Sequence, residues 1–286
     1  MATAVKKESY GLRAVKVAVL VVFLFDILFF LYFLVSFSLK PLEEIRVAQT
    51  FYPVSPTLAN FKTIFNPRAE VSAGVRWLNS LINSVIVSLG NVGLCLAVGI
   101  PAAYVFSREK FMADKHIFFW LLINRMAPPS VFAIPYYAFY HSIELYDKVA
   151  GPIIAHSLGN IPLAVWILSG FMKDISRDID EAAFIDGMGI GSFFRRILLP
   201  TLMPGITVTA FFIWLFSWSE LLLTSAITAR SAVTLTVNLL ISAGSMGYGI
   251  DWGAICAAGT FSIIPGLIFI VLAGRYLVKG FTLGRI

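Results

Sequence analysis

Charge is scarce in this chain. Asp, Glu, Lys and Arg make up 13% of its 286 residues, against about 25% in a soluble globular domain. A surface built for water is thereby excluded. Cysteine is nearly absent: Cys95 and Cys256 both sit in apolar runs. They read as small buried apolar residues and exclude a disulfide framework. The three histidines, His116, His141 and His156, are scattered without ligand spacing, so no metal site is expected. Phosphate-cradling patterns are missing too, with neither a P-loop nor a GxGxxG after a strand. The chain is expected to hold no nucleotide, cofactor or catalytic group of its own.

What is plentiful is apolar sequence, 58% of residues. A helix crosses the hydrocarbon core with roughly 20 apolar residues, because its backbone must satisfy itself where there is no water. Six stretches qualify, at 14–37, 81–106, 117–140, 149–172, 201–224 and 253–277. The fold class expected is therefore an all-α polytopic membrane protein, one transmembrane domain over 1–286 with no separate soluble unit. The first stretch follows Lys6, Lys7, Arg13 and Lys16 but is too long for a signal peptide and has no cleavage site after it. It reads as a retained helix. If the helices alternate from an inside start, fourteen of the 22 basic residues fall in cytoplasmic segments, seven in outer loops, and Arg125 inside a helix. The positive-inside rule then puts both termini in the cytoplasm. The formal net charge of +6 reflects that topology and contact with anionic lipid, and no nucleic-acid partner is expected.

One segment breaks the apolar pattern. Between two long apolar stretches, within 173–200, the chain reads EAAFIDGMGIGSFFRRILLP from Glu181 to Pro200. Asp178 is placed to cap a helix beginning at Ile179, with Glu181 three residues on. Ala182 and Ala183 favour helix and let another backbone come close. Gly187, Gly189 and Gly191 predict a corner, since glycine takes left-handed geometry readily. Ser192 then caps a second short helix that runs to Pro200. An interfacial helix, with Phe193 and Phe194 in the lipid boundary, is the plain alternative. A polar hairpin between membrane helices is better explained as a docking surface for a soluble partner.

The spacing of this segment resembles the cytoplasmic loop of bacterial ATP-binding-cassette importer permeases: Glu181-Ala182-Ala183, then Asp186 and Gly187, then nine residues to Ile197-x-Leu199-Pro200. Four further stretches resemble the carbohydrate-type subgroup, which includes the maltose, glycerol-phosphate and trehalose permeases. They are SFSLKPLEEI with SPTLANF at 36–65, Asn124-Arg125-Met126-Ala127-Pro128-Pro129, Trp218-Ser219-Glu220-Leu221 with Thr234-Leu235-Thr236-Val237, and Arg275-Tyr276 with Gly280-Phe281-Thr282 and Gly284. Ser219 stands where the family usually has Asn. The resemblance implies a six-helix permease with a coupling hairpin between its fourth and fifth helices, in a bacterial inner membrane. It implies alternating access, a homologous second permease, two ATPase subunits that bind ATP and Mg, and an external solute-binding protein. It assigns ATPase coupling to Glu181, Ala182, Ala183, Asp186, Gly187, Ile197, Leu199 and Pro200.

Polar groups inside predicted helices are costly, about 2.5–3.5 kcal/mol for a charge at the bilayer centre, so each should face protein or water. Asp26 and Arg125 read as a structural ion pair or carbonyl contacts, with Arg125 serving carbonyls freed by Pro128, Pro129 and Pro135. Glu220, near an outer helix end, reads as wet or as a contact to solute or partner. The candidate solute path is Asn124, Arg125, Tyr136, Tyr137, Trp218 and Glu220, with Trp214 a further aromatic that could stack on a sugar face. The function expected is import of a sugar, polyol or glycoside. The alternatives are an importer permease for an amino acid or polyamine, and an ion-coupled secondary transporter. The latter should show an inverted repeat and matched acidic residues, and neither is found.

Overall fold

The computed structural model describes residues 10–47, 50–66, 75–244 and 250–283, without the side chains of 10, 12 and 275–283. Lys6, Lys7, Arg68, Gly284 and Arg285 thus lie outside the described residues, as do the side chains of the 275–283 tail signature. All the described regular structure is helical. Helix α1 spans Tyr10–Ser38, α2 Leu42–Val47, α3 Ala59–Phe65, α4 Trp77–Arg108, α5 Asp114–Met126, α6 Pro129–Ser142 and α7 Ala150–Lys173. There follow α8 (Arg177–Ile185) and α9 (Ile190–Phe193), a π turn over Phe194–Leu198, α10 (Leu199–Thr201), α11 (Met203–Ser219), α12 (Leu222–Ile227), α13 (Leu235–Gly244) and α14 (Trp252–Leu283).

Among the described residues, four helices are long and apolar enough to cross a membrane, and up to six spans result if each of two bent pairs counts as one. The bends correct two expected straight spans. The stretch 117–140 is not one rod, because α5 and α6 meet at 91°. The cause is local: Ala127, before a proline, is extended at ψ 130°, as pre-proline sterics require. Pro128 is extended at ψ 132° and α6 begins at Pro129. The stretch 201–224 is also not one rod: Ile190–Thr201 and Met203–Ser219 meet at 77° just inside its start, and it is interrupted again at its far end. Helix α11 stops at Ser219, Glu220 is extended at ψ 126°, and α12 restarts at Leu222.

The core is the pair α4–α7, the most extensive helix contact. In lipid, close backbone approach and interhelical hydrogen bonds replace the hydrophobic drive, and both are present. A Cβ on Gly99 would come within 2.8 Å of Ala164 Cβ, so glycine there permits the crossing. Asn91 Nδ2 donates to Ser157 Oγ at 2.8 Å and to Ile153 O at 3.1 Å, and Asn160 Nδ2 donates back to Asn91 Oδ1 at 2.8 Å. Helix α11 lies across this pair and α14, and α1 touches chiefly α14.

At the end of α7 away from α8, Asp147 ties two loops together. It adopts a left-handed φ of 53°. Its carboxylate accepts from the backbone N–H of Ala229 (2.9 Å), Arg230 (3.0 Å), Ser231 (2.9 Å) and Ala232 (3.1 Å). Partial burial pushes its pKa up, but the four amide bonds outweigh that and hold it below the usual range. The folded pKa is depressed, so the stabilisation is present above the unfolded value near 3.9 and is lost as pH falls through the folded one. In detergent, Asp147→Asn should melt below the wild type at neutral pH, and the gap should close as the pH is lowered past 4. A gap independent of pH would remove Asp147 from this role.

Candidate functional site

Two features emerge: a hairpin at one end of the bundle and a cavity within it. The hairpin begins with a cap that differs from the one expected. Ser176, rather than Asp178, is the N-cap: its Oγ accepts from Asp178 N at 3.3 Å, and α8 starts at Arg177. Serine two residues earlier satisfies the first-turn donors, leaving Asp178 and Asp180 to complement the helix dipole. The end of α8 is as expected. Gly187 has φ +76°, its N–H donates to Phe184 O at 3.0 Å, and Met188 N–H donates to Ala183 O at 3.0 Å. This pairing is a Schellman motif, with glycine at the position that must be left-handed. A Cβ on Gly187 would meet nothing within 4 Å, so backbone conformation alone demands glycine there. Gly189 is extended at φ −71° and itself precedes α9; the second helix starts at Ile190, so Ser192 is not its cap.

The hairpin residues then divide by burial. Ala183, Phe193 and Leu198 enter the same apolar cluster as Leu168, Met172 and Ile213. Phe193 is fully buried, its ring 5.2 Å from Phe184 and 6.0 Å from Tyr104, which speaks against the interfacial-helix alternative that would put it in the lipid boundary. Ile197 and Leu199 are half-buried. Glu181, Ala182, Asp186, Gly187 and Pro200 are exposed, beside Arg195 and Arg196. Ile185, 84% exposed, and Ile190, 57% exposed, sit among them, and sequence reading had not singled out either. The result is a face with apolar points inside a ring of both charge signs, fastened from behind.

The fastening includes a contact that sequence reading missed. Arg108, the last residue of α4, donates through Nε to Asp180 Oδ2 at 2.8 Å and through Nη2 to Asp180 Oδ1 at 3.2 Å. Its Nη1 donates to Met172 O on α7 at 3.1 Å. The two side chains are 6% and 8% exposed. One guanidinium thus joins α4, α7 and α8. Arg177 adds a bond to Ser107 O at 3.1 Å. Bidentate geometry makes this the strong kind of ion pair.

The cavity has a volume of about 650 Å³ and lies between α5, α6, α7 and the α11–α12 break. Of the candidate path residues, Asn124, Arg125, Tyr136 and Glu220 line it, together with Trp120, Phe132, His156 and Phe216. Tyr137 and Trp218 do not. Tyr137 packs on His141 and Tyr146, and Trp218 stacks on Trp214 at 5.4 Å, itself buried. Arg125 neither pairs with Asp26 nor serves its own proline-rich segment. Its Nη1 donates to Asn160 Oδ1 at 2.8 Å and to Gly159 O at 3.1 Å. That carbonyl is next to the one Pro162 leaves without an intrahelical donor. The guanidinium also lies 4.3 Å from the Phe216 ring centroid.

Glu220 is more committed than a wet helix end would be, its side chain being 17% exposed. Its carboxylate accepts from Leu223 N (2.9 Å), Thr224 N (2.9 Å) and Thr224 Oγ1 (2.8 Å). His156 Nε2 lies 3.5 Å away; that ring also bonds Ser217 Oγ at 2.8 Å and Thr224 Oγ1 at 2.9 Å. The extended break at Glu220 therefore puts a carboxylate over the open N-terminal turn of α12.

Residues 96–282 match the family described as "Binding-protein-dependent transport system inner membrane component". The chain is similar to the trehalose transport system permease protein SugB of Mycobacterium tuberculosis, with 29% identity over 88% of this chain and 89% of that one. It is also similar to the diacetylchitobiose uptake system permease protein DasC of Streptomyces coelicolor, with 26% identity over 98% and 99%. Among solved structures, a bacterial ABC transporter involved in import of the acidic polysaccharide alginate contains a chain with the same fold. It superposes with TM-score 0.77 over 96% of this chain and all of that one, at 16% identity.

Proposed function

We propose, from the premise that this chain belongs to the family of binding-protein-dependent transport system inner membrane components, that it imports a sugar, polyol or glycoside. The chain is the multi-pass inner-membrane permease of an ATP-binding-cassette importer. It is not catalytic: nucleotide is bound and hydrolysed by a separate ATPase subunit, and the complex includes a periplasmic binding protein. The solute class is supported by relatives named for trehalose and diacetylchitobiose. It is also supported by the cavity, whose Trp120, Phe132, Tyr136 and Phe216 offer flat faces for sugar rings. Arg125 and Asn124 supply donors and acceptors for hydroxyls at its polar end.

In this reading the hairpin couples transport to ATP. The observation that carries it is the split at 181–200: an anchored back of Ala183, Phe193 and Leu198, and an exposed front of Glu181, Ala182, Ile185, Asp186 and Gly187. Motion of the ATPase pressed on that front reaches α4 and α7 through Arg108 and Asp180 and alternates access at the cavity. A second, homologous permease completes the pathway and two ATPase subunits drive the pair. Both termini and the hairpin face the cytoplasm, supported by the fourteen-to-seven distribution of basic residues.

One labelling experiment tests orientation and docking together. Gly189→Cys and Ser55→Cys are made separately with Cys95 and Cys256 replaced by Ala. Gly189 has open space around its missing Cβ and Ser55 is exposed, so both should be tolerated. An impermeant maleimide should reach Gly189→Cys only in inside-out vesicles, with labelling suppressed by bound ATPase subunits, and Ser55→Cys only in right-side-out cells. Labelling of Gly189→Cys from outside refutes the orientation; equal labelling with and without ATPase refutes the docking.

A further inference from the structure

After α1 the chain turns back and runs beside the helix it has just left. From residue 47 to residue 61 the sequence holds no Asp, Glu, Lys or Arg, although this stretch belongs to no expected span. Its large side chains are open: Phe51 is 70% exposed and Tyr52 64%, with Val47 and Val54 exposed as well. An uncharged loop that presents apolar and aromatic groups together is a poor surface for water. The same open surface continues along α1 through Tyr32 and Phe29.

Depth along α1 accounts for it. Counted from Lys16, about 30 Å of hydrocarbon takes roughly 20 residues of helix and ends near Ser36. Phe51 reaches back to that level. Its carbonyl accepts from Tyr32 Oη at 2.9 Å and from Ser36 Oγ at 3.3 Å, and its ring lies 6.0 Å from the Phe33 ring. Irregular backbone at such a depth must have its polar groups met by protein. Here the carbonyls of Thr50 and Phe51 are both met, the first by Lys40 Nζ. The arm that leaves the dip is fastened to the end of α1. Glu44 accepts from Val54 N at 2.9 Å and Ser55 N at 3.2 Å, and Thr57 N donates to Leu39 O at 2.7 Å. Asn60 Nδ2 donates to Ser38 O and Lys40 O, each at 2.8 Å. We propose that residues 51–54 dip back into the leaflet from which α1 emerges and hold Phe51, Tyr52 and Val54 among its lipid acyl chains. In the orientation proposed above this is the outer leaflet. Asn60 also packs on Gly253, where a Cβ would come within 2.7 Å of it, so the dip anchors the ends of α1 and α14 to the membrane surface together.

The test uses the whole transporter in bilayers, with Cys95 and Cys256 replaced by Ala and a nitroxide attached to Tyr52→Cys or to Ser55→Cys. Collision with oxygen, which concentrates in lipid, is compared with collision with a water-soluble nickel chelate. The ratio of oxygen to nickel collision should be severalfold higher at Tyr52→Cys than at Ser55→Cys, which Glu44 holds nearer to water. Adding Tyr32→Phe and Ser36→Ala removes both donors to the Phe51 carbonyl and should raise nickel collision at Tyr52→Cys severalfold, as the loop rises into water. Equal ratios at the two positions overturn the proposal by placing the loop in water, and this comparison stands even if the Tyr32→Phe/Ser36→Ala chain fails to accumulate. Low collision with both reagents at Tyr52→Cys overturns it as well, since another protein then covers this face. Unchanged nickel collision on loss of the two donors overturns the account of how the loop is held at depth. Labelling of Gly189→Cys from outside would instead move the dip to the inner leaflet and refute the orientation alone, so the two failures are distinguishable.

Discussion

Asp180→Ala is expected to uncouple this transporter. The carboxylate is buried against the Arg108 guanidinium, with both side chains under a tenth exposed. Removing one partner of such a pair leaves an uncompensated buried charge and typically costs 3–5 kcal/mol. The loss falls on a mechanical junction, since Arg108 also holds Met172 O: without Asp180, α8 keeps its apolar anchors Ala183 and Phe193 but loses its directional link to α4 and α7. Chain that still reaches the membrane should show basal ATPase activity with little stimulation by loaded binding protein, and uptake at least tenfold down. The double variant Arg108→Met/Asp180→Leu removes both charges and should recover membrane level, because an apolar pair of similar volume packs as well or better. It should not recover coupling if the directional bond transmits the motion. Full stimulation in the double variant would reduce the pair to a packing element. Wild-type uptake by Asp180→Ala at equal membrane level would remove it from the mechanism altogether.

That junction shows where sequence reading stops. The hairpin's corner was legible because it is local: a run of glycines after Glu181-Ala182-Ala183 requires a left-handed residue, and Gly187 is left-handed at φ +76°. The straight spans at 81–106, 149–172 and 253–277 were legible for the same reason, as each is decided by apolar content within itself and falls inside α4, α7 or α14 to within a residue. Arg108 and Asp180 are 72 residues apart. Alone, the first reads as an inside-facing charge and the second as a first-turn carboxylate, and no spacing rule joins them. The bend at Ala127 had a local signal in Pro128-Pro129, but its size, 91°, depends on where α5 and α6 find packing partners. The capping error was a competition between neighbours: Ser176 and Asp178 can both cap, and the chain uses Ser176, with Asp178 bonded to it in turn.

Glu220 carries the other large expected effect, and its contacts point to building the cavity wall rather than gripping solute. Three donors from Leu223 and Thr224 occupy its two oxygens, and the His156 ring closes the remaining side. Glu220→Ala removes all of these acceptors at once. Each buried donor left unsatisfied costs about 1–3 kcal/mol, and the first turn of α12 loses the carboxylate that neutralises its N–H groups. Helix α12 packs on α6 and α7, so one wall of the cavity should loosen. Glu220→Gln keeps one oxygen for Leu223 or Thr224 and turns an amide donor toward the other, a smaller loss. Both variants should therefore yield less assembled complex, Ala more than Gln, and transport should fall in proportion to assembly. Tyr136→Phe, across the cavity and without a hydrogen-bonding role among the described contacts, should leave assembly unchanged while weakening solute-dependent uptake. Normal assembly of Glu220→Ala with defective uptake would reverse the assignment, making the carboxylate a solute contact; Tyr136→Phe with unaltered uptake would take the solute route away from this cavity.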